Sequence, residues 1–140
     1  MYLLDTNVVS ELRKAPSGKA DAGLLRWVES VEPSLCYLSV VTVMELEVGV
    51  LGMERRDARQ GALLRGWLDG RVTTSFEHRI LPVDRNVALR SATLHVPDRR
   101  PDADALIGAT AFVRGLSVVT RNATDFASMG VPVIDPWTMS

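Results

Sequence analysis

The sequence predicts an α/β fold built on a mainly parallel sheet of four or five short strands. Two observations predict it. Short apolar runs alternate with segments of helical period along the whole chain, the order that generates βαβ units. Residues that cap helices, such as Asp5 and Asp84, stand where an apolar run gives way to a helical segment. The length of 140 residues, 46% hydrophobic and 24% charged, suits one domain over residues 1–140 with a single core.

The elements follow in order. Tyr2 to Leu4 reads as a short buried strand, and Asp5-Thr6-Asn7 as a turn or N-cap into a helix carrying Val8, Val9 and Leu12. That helix ends near Ala15-Pro16-Ser17-Gly18, a breaker cluster. Leu24 to Val31 is a second helix stopped by Pro33, and Leu35 to Val40 a second strand. Thr42 is expected to cap a helix through about Gly52, with Met44, Val48 and Leu51 as its core stripe. Arg55 to Leu68 is a further helix with a charged face and Leu63, Leu64, Trp67 and Leu68 on its apolar side. Arg79 to Val83 is the third strand, and Asp84 caps a helix running to about Leu94. A polar loop from His95 to Pro101 leads to a helix that starts at Asp102 or Ala103 and ends at Gly115. Leu116 to Thr120 and Val131 to Ile134 complete the strands, and no repeat, linker or low-complexity segment interrupts them.

A formal net charge of −1 provides no global attraction toward nucleic acid or anionic lipid, although a local basic patch would suffice. Lysine occurs only at Lys14 and Lys19. The arginine bias fits either phosphate recognition by a planar fork or a GC-rich genome. Cys36 is the single cysteine, which excludes an intrachain disulfide or thiolate cluster and reads as a small core residue. No basic stretch followed by an apolar segment marks a signal peptide, and no uncharged run reaches the roughly 20 residues of a membrane helix. A soluble cytoplasmic protein without a membrane partner is the expectation.

Asp5, Glu45 and Asp104 sit in sequence that otherwise reads as core. Buried carboxylates are costly unless paired, hydrogen-bonded or bound to a cation. In a parallel sheet, ligands gather at the carboxyl ends of strands, where Asp5, Thr120, Arg121 and Asn122 fall. An all-oxygen set of carboxylates and amides selects Mg²⁺ or Mn²⁺ and suits metal-assisted phosphodiester hydrolysis. Taken singly, each acid has a local alternative. Asp5 can cap the helix at Thr6, and Asp104 can be a first-turn acid favoured by the helix dipole. Glu45 can close a capping box in Thr42-Val43-Met44-Glu45.

Several ordered segments then carry a family resemblance. Leu4-Asp5-Thr6-Asn7-Val8-Val9-Ser10-Glu11-Leu12 resembles the opening of PIN-domain ribonucleases, the VapC toxins of bacterial toxin–antitoxin pairs. Ser39 to Leu46 with Gly49, Asp104 to Ala111, and Thr120 to Phe126 continue it, and Val133-Ile134-Asp135-Pro136-Trp137 resembles the FitB-like branch. The resemblance implies a PIN-like three-layer α/β/α fold. It implies an Mg²⁺- or Mn²⁺-dependent endoribonuclease toxin whose metal-activated water hydrolyses RNA, leaving 5′-phosphate and 3′-hydroxyl ends. Asp5 and Asp104 would be the metal ligands, with Glu45 acting directly or through water. Asn122 stands where the family often has a fourth acid, and Asp125 either completes the shell or fixes its loop, the second being preferred. Thr6, Asn7 and Thr120 would steady the carboxylates. A VapB-like antitoxin covering the groove and a homodimer are also implied, with the helices around Val8 to Leu12 and Leu46 to Leu51 as contact surfaces.

Arg99, Arg100 and Arg121 border the expected site and are candidates for RNA phosphates or solvated surface charge. His78 and His95 lack metal-ligand spacing, and Trp27, Trp67 and Trp137 read as packing or interface residues. Gly108, Ala109 and Ala111 would let their helix lie close to the sheet. Two competing functions are a receiver-like phosphoacceptor, disfavoured because no lysine follows Lys19, and a catalytically silent PIN module.

Overall fold

The computed structural model describes residues 1–138. Five strands, β1 (Tyr2–Leu4), β2 (Cys36–Ser39), β3 (Ile80–Leu81), β4 (Ser117–Val119) and β5 (Val133–Ile134), pair in the order β3-β2-β1-β4-β5. Every pairing is parallel. The strand order reverses at β1, so the crevice beyond its carboxyl end is where this architecture receives ligands. The Asp5 N–H donates to Val119 O at 2.9 Å, which makes Asp5 the first residue to leave the central strand.

The helices are α1 (Thr6–Leu12), α2 (Ala22–Ser30), α3 (Val40–Arg56), α4 (Ala58–Trp67), α5 (Thr73–Ser75), α6 (Arg85–Leu94), α7 (Asp102–Arg114) and α8 (Ala123–Phe126). A π-helical turn, Leu68–Val72, joins α4 to α5, and a 3-10 turn, Pro136–Thr138, follows β5. Successive strand residues face opposite sides of the sheet, and the core divides accordingly. Leu3 and Val118 pack with Val87, Ile107, Phe126 and Met129 on the α6–α7 side. Leu4, Leu38 and Val119 pack with Val8, Leu24 and Val50 on the α1–α3 side. The result is the expected helix–sheet–helix layering.

Local chemistry explains most boundaries. Asp21, Asp57 and Asp84 each accept backbone N–H groups at the starts of α2, α4 and α6, removing donors that a helix leaves unpaired. Gly115, at φ 70°, takes the left-handed turn that closes α7. At the other edge, Arg79 donates to Pro33 O at 2.7 Å and also to Cys36 O, tying the β2 edge to the chain before β3. Gly108 makes room for Met129, since a Cβ there would collide with the Met129 sulfur, so the space this small residue leaves is filled by a neighbouring loop.

Helix α3 departs from expectation. Its cap is Ser39, whose Oγ accepts the Val41 N–H at 3.0 Å, and the helix runs on to Arg56. Met44, Val48 and Leu51 are 56%, 63% and 54% exposed, and are not its core stripe. Thr42, Leu46 and Val50 are buried instead, at i, i+4 and i+8. The helix carries apolar residues on two opposed faces, so period alone does not choose between them. Starting the helix at Ser39 turns the Thr42 face inward. The contact surface expected from Val8 to Leu12 and Leu46 to Leu51 narrows for the same reason, since Val8, Val9, Leu46 and Val50 are core. Leu63 is likewise solvent-facing, at 62% exposure.

The α3–α4 hairpin is pinned by Arg65, which donates to both Glu47 carboxylate oxygens at 2.7 Å and to Glu54. Close approach depends on Gly61, because a Cβ there would overlap the Glu54 backbone. Gly66, on the same helix, has open space around it. Gly61→Ala is expected to lower stability by about 1–3 kcal/mol through overpacking, whereas Gly66→Ala gains up to about 1 kcal/mol of helix propensity. Paired urea or thermal denaturation curves measure both.

Candidate active site

The site begins at the β1–β4 edge. Asp5 is 5% exposed and both of its carboxylate oxygens are engaged. Oδ1 accepts the Thr6 N–H at 2.8 Å, capping α1. Oδ2 accepts the Thr120 hydroxyl at 2.8 Å and the Asn7 amide at 3.4 Å. The capping alternative for Asp5 is therefore real, but it uses only one oxygen. Burial is the main cause that pushes the Asp5 carboxyl above its ordinary value, with Glu45 and Asp125 adding repulsion against the two hydrogen bonds.

Glu45 arrives from the second turn of α3. Since that helix starts at Ser39, the Thr42 capping box does not form. Glu45 Oε1 accepts the Thr6 hydroxyl at 2.6 Å, and Thr6 Oγ1 also stands 3.2 Å from Thr42 Oγ1. Thr6 thus donates its backbone to one acid and its side chain to another.

Asp104 lies in the first turn of α7, half-buried, with no hydrogen bond to its carboxylate among the described residues. Desolvation, followed by the charges of Asp5, Asp125 and Glu45, raises it to about 6. These mutual influences bring Asp5, Glu45, Asp104 and Asp125 into one electrostatic neighbourhood. The first three line a groove of about 610 Å³, together with Thr6, Asn7 and Asn122. Asp125 is exposed on α8 and is not part of the lining. Asn122 precedes α8 without capping it; its N–H donates to Thr120 Oγ1 at 3.0 Å.

No lysine or arginine neutralises Asp5 or Asp104 among the described residues. Hydroxyls and amides hold the acids without cancelling their charge, and the donor set is all oxygen. That chemistry fits a hard divalent cation. As placed, no three His, Cys, Asp or Glu side chains among the described residues close on one point to form a finished metal cage.

The basic residues divide differently from expectation. Arg99 pairs with Asp102 at 3.0 Å, and Arg100 is spent on Leu94 O and Ser128 Oγ. Neither lines the groove. His95 Nδ1 accepts the Arg100 N–H at 3.1 Å, so this histidine fixes a loop outside the groove. Arg121 does line it, as do Arg13, Lys14, Trp67 and Trp137, which sequence reasoning left out of the site. A signal for Arg13 was present: Thr6, Ser10 and Arg13, at i, i+4 and i+7, share a helix face.

A family model described as PIN domain matches residues 2–131. Similar curated proteins include the VapC ribonuclease Y4jK of Sinorhizobium fredii, 34% identical and covering 98% of each chain. Toxin FitB of Neisseria gonorrhoeae is 36% identical over 98% of this chain and 99% of its own. The crystal structure of FitAcB from Neisseria gonorrhoeae superposes with a TM-score of 0.88 at 32% identity, covering 99% of this chain and 100% of that one. FitAB bound to an IR36 DNA fragment gives a TM-score of 0.89 at 30% identity, covering 100% and 98%.

The raised Asp104 carboxyl links stability to pH. The folded protein binds this proton more tightly than the unfolded chain, so stability falls as pH climbs from the ordinary 3.8 to about 6 and stays lower above it. Asp104→Asn removes the charge. In chelator it is expected to melt above the parent at about pH 8, with the gap shrinking as pH falls to about 4. Thermal melts of both proteins across that range check the sign.

Proposed function

The chain belongs to the PIN-domain family, and from that premise we propose that it is a divalent-metal-dependent endoribonuclease acting as the toxin of a toxin–antitoxin pair. The observation carrying this reading is the convergence of Asp5, Glu45 and Asp104, from three separate segments, on one groove at the carboxyl edge of the sheet without a neutralising side chain. Asp5 and Asp104 would hold Mg²⁺ or Mn²⁺, and Glu45 would join them directly or through water. Bound there, the cation supplies an acidified water and offsets charge that develops on the phosphate.

The protein's own residues do the rest. Thr120 and Asn7 fix the Asp5 carboxylate in one orientation. Thr6 holds Glu45 toward the same groove. Asn122 stands at the fourth corner as a neutral amide, which keeps the site less negative and favours a single tightly held ion. Asp125 adds field to Asp5 and Asp104 from outside the groove lining, and no side-chain hydrogen bond among the described residues ties it to its own segment. Arg121 lies beside the acids and would take an RNA phosphate.

A cognate antitoxin is the expected partner. It is supported by the likeness to FitAcB and FitAB and by the VapC and FitB names of the relatives. The homodimer implied by the sequence would use the exposed α3 face at Met44, Val48 and Leu51, not the buried residues beside it. No helix among the described residues is long and apolar enough to cross a membrane.

Purified, antitoxin-free protein is expected to cut RNA with Mg²⁺ or Mn²⁺ and to stop in chelator. Asp5→Asn and Asp104→Asn should each lower cleavage by about 100-fold or more while circular dichroism stays native. Equal cleavage by parent and variants would assign the activity to a contaminant.

A further inference from the structure

We propose that Trp137 and Arg121 form a receiving platform for an unpaired nucleotide next to the scissile phosphate, so that the substrate is RNA with a splayed-out base at the cut. The proposal rests on the nuclease reading above and names the substrate feature that the groove selects.

Trp137 lines the groove while its indole packs partly against the α1–α3 core. Its backbone is fixed: the Trp137 N–H donates to Asp135 Oδ1 at 2.9 Å, and Pro136 before it is buried. An aromatic ring held in this way and facing a polar groove loses little freedom on binding, which suits a stacking surface. The Arg121 guanidinium lies over the ring, 5.5 Å from its centroid. Arg121 has no carboxylate partner among the described residues, although acids are plentiful nearby. It is a cation without an acid partner in front of a partly buried indole, the pairing that single-stranded nucleic-acid sites use for phosphate and base.

The platform is tied to the chemistry by short links. The Arg121 N–H donates to Asn7 Oδ1 at 3.2 Å, and the Asn7 amide reaches Asp5 Oδ2. Arg121 also directly follows Thr120, which donates to Asp5. Trp137 and the three acids line one groove, so a base on the ring and the phosphate at the acidic end would belong to one strand. Arg13, likewise without an ion pair among the described residues, is placed to take a further phosphate of the same strand. A nucleotide in a duplex cannot use this surface, because its faces are already stacked on its neighbours.

The test uses the intact chain carrying Asp104→Asn, to block cleavage, and a fluorescein-labelled single-stranded RNA of mixed sequence. Trp137→Leu keeps an apolar side chain against the core but removes the ring. It is expected to weaken binding by roughly 5- to 100-fold, with Trp137→Phe recovering most of the loss. Arg121→Gln should weaken binding and flatten its salt dependence. Arg99→Gln, outside the groove, serves as the unchanged control. In the cleavage-competent chain, Trp137→Leu should raise KM more than it lowers kcat, and the same RNA closed into a duplex should be a poor substrate. Parent-like RNA binding and KM in folded Trp137→Leu would overturn the platform while leaving the nuclease standing. Loss confined to binding of an antitoxin peptide would overturn it too, assigning the indole to a protein partner. Absence of metal-dependent cleavage by the unsubstituted chain would overturn both readings.

Discussion

A carboxylate buried without a basic partner at the point where the strand order reverses is the constraint around which the site is organised. Asp5 cannot be moved outward without breaking the backbone bond from its N–H to Val119, which aligns β1 with β4. No lysine or arginine pairs with it among the described residues. The compromise is a shell of neutral donors, from Thr120, Asn7 and the Thr6 backbone. Such donors favour the ionised form only modestly, and burial still outweighs them. The protein keeps a standing electrostatic cost where a ligand can remove it.

That compromise dictates more than one residue. Thr6 must sit at the start of α1 to cap on Asp5, and its hydroxyl then meets Glu45 at 2.6 Å and Thr42 at 3.2 Å. Glu45 reaches Thr6 because α3 begins at Ser39, which also buries Thr42 beside the same hydroxyl. Asn7 uses its amide N–H for Asp5 and its carbonyl for the Arg121 backbone. A chain of single hydrogen bonds thereby joins β1, α1, α3 and the end of β4 across sequence separations of more than one hundred residues.

Much of this was legible in the sequence because it depends on local chemistry. Apolar runs followed by aspartate, the Asp84 cap and the Gly115 stop each act within a few residues. The three acids were legible for a different reason: charged residues inside apolar stretches need an explanation wherever they occur. What the sequence concealed depends on rotation and distance. Helix α3 has two apolar faces, and only a cap three residues earlier than Thr42 reveals which one is core. Arg99 and Arg100 are near the acids in order, yet Arg99 is spent on Asp102 and Arg100 on Leu94 and Ser128. Arg13 and Trp137, at opposite ends of the chain, line one groove because β1, β4 and β5 pair side by side, a long-range fact with no local signature.

Asp5 and Asp104 also differ in what their loss does to the chain. Asp5 starts a helix and bridges two strands, so replacing it with a residue that cannot accept hydrogen bonds strips α1 of its cap and leaves the buried Thr120 hydroxyl proton without its acceptor. Asp104 bonds to nothing among the described residues. Lesions at the first position expose themselves to proteases and cellular quality control, whereas lesions at the second leave an intact, durable molecule. An inactive form arising at Asp104 would therefore persist in the cell, occupying whatever normally recognises the folded surface.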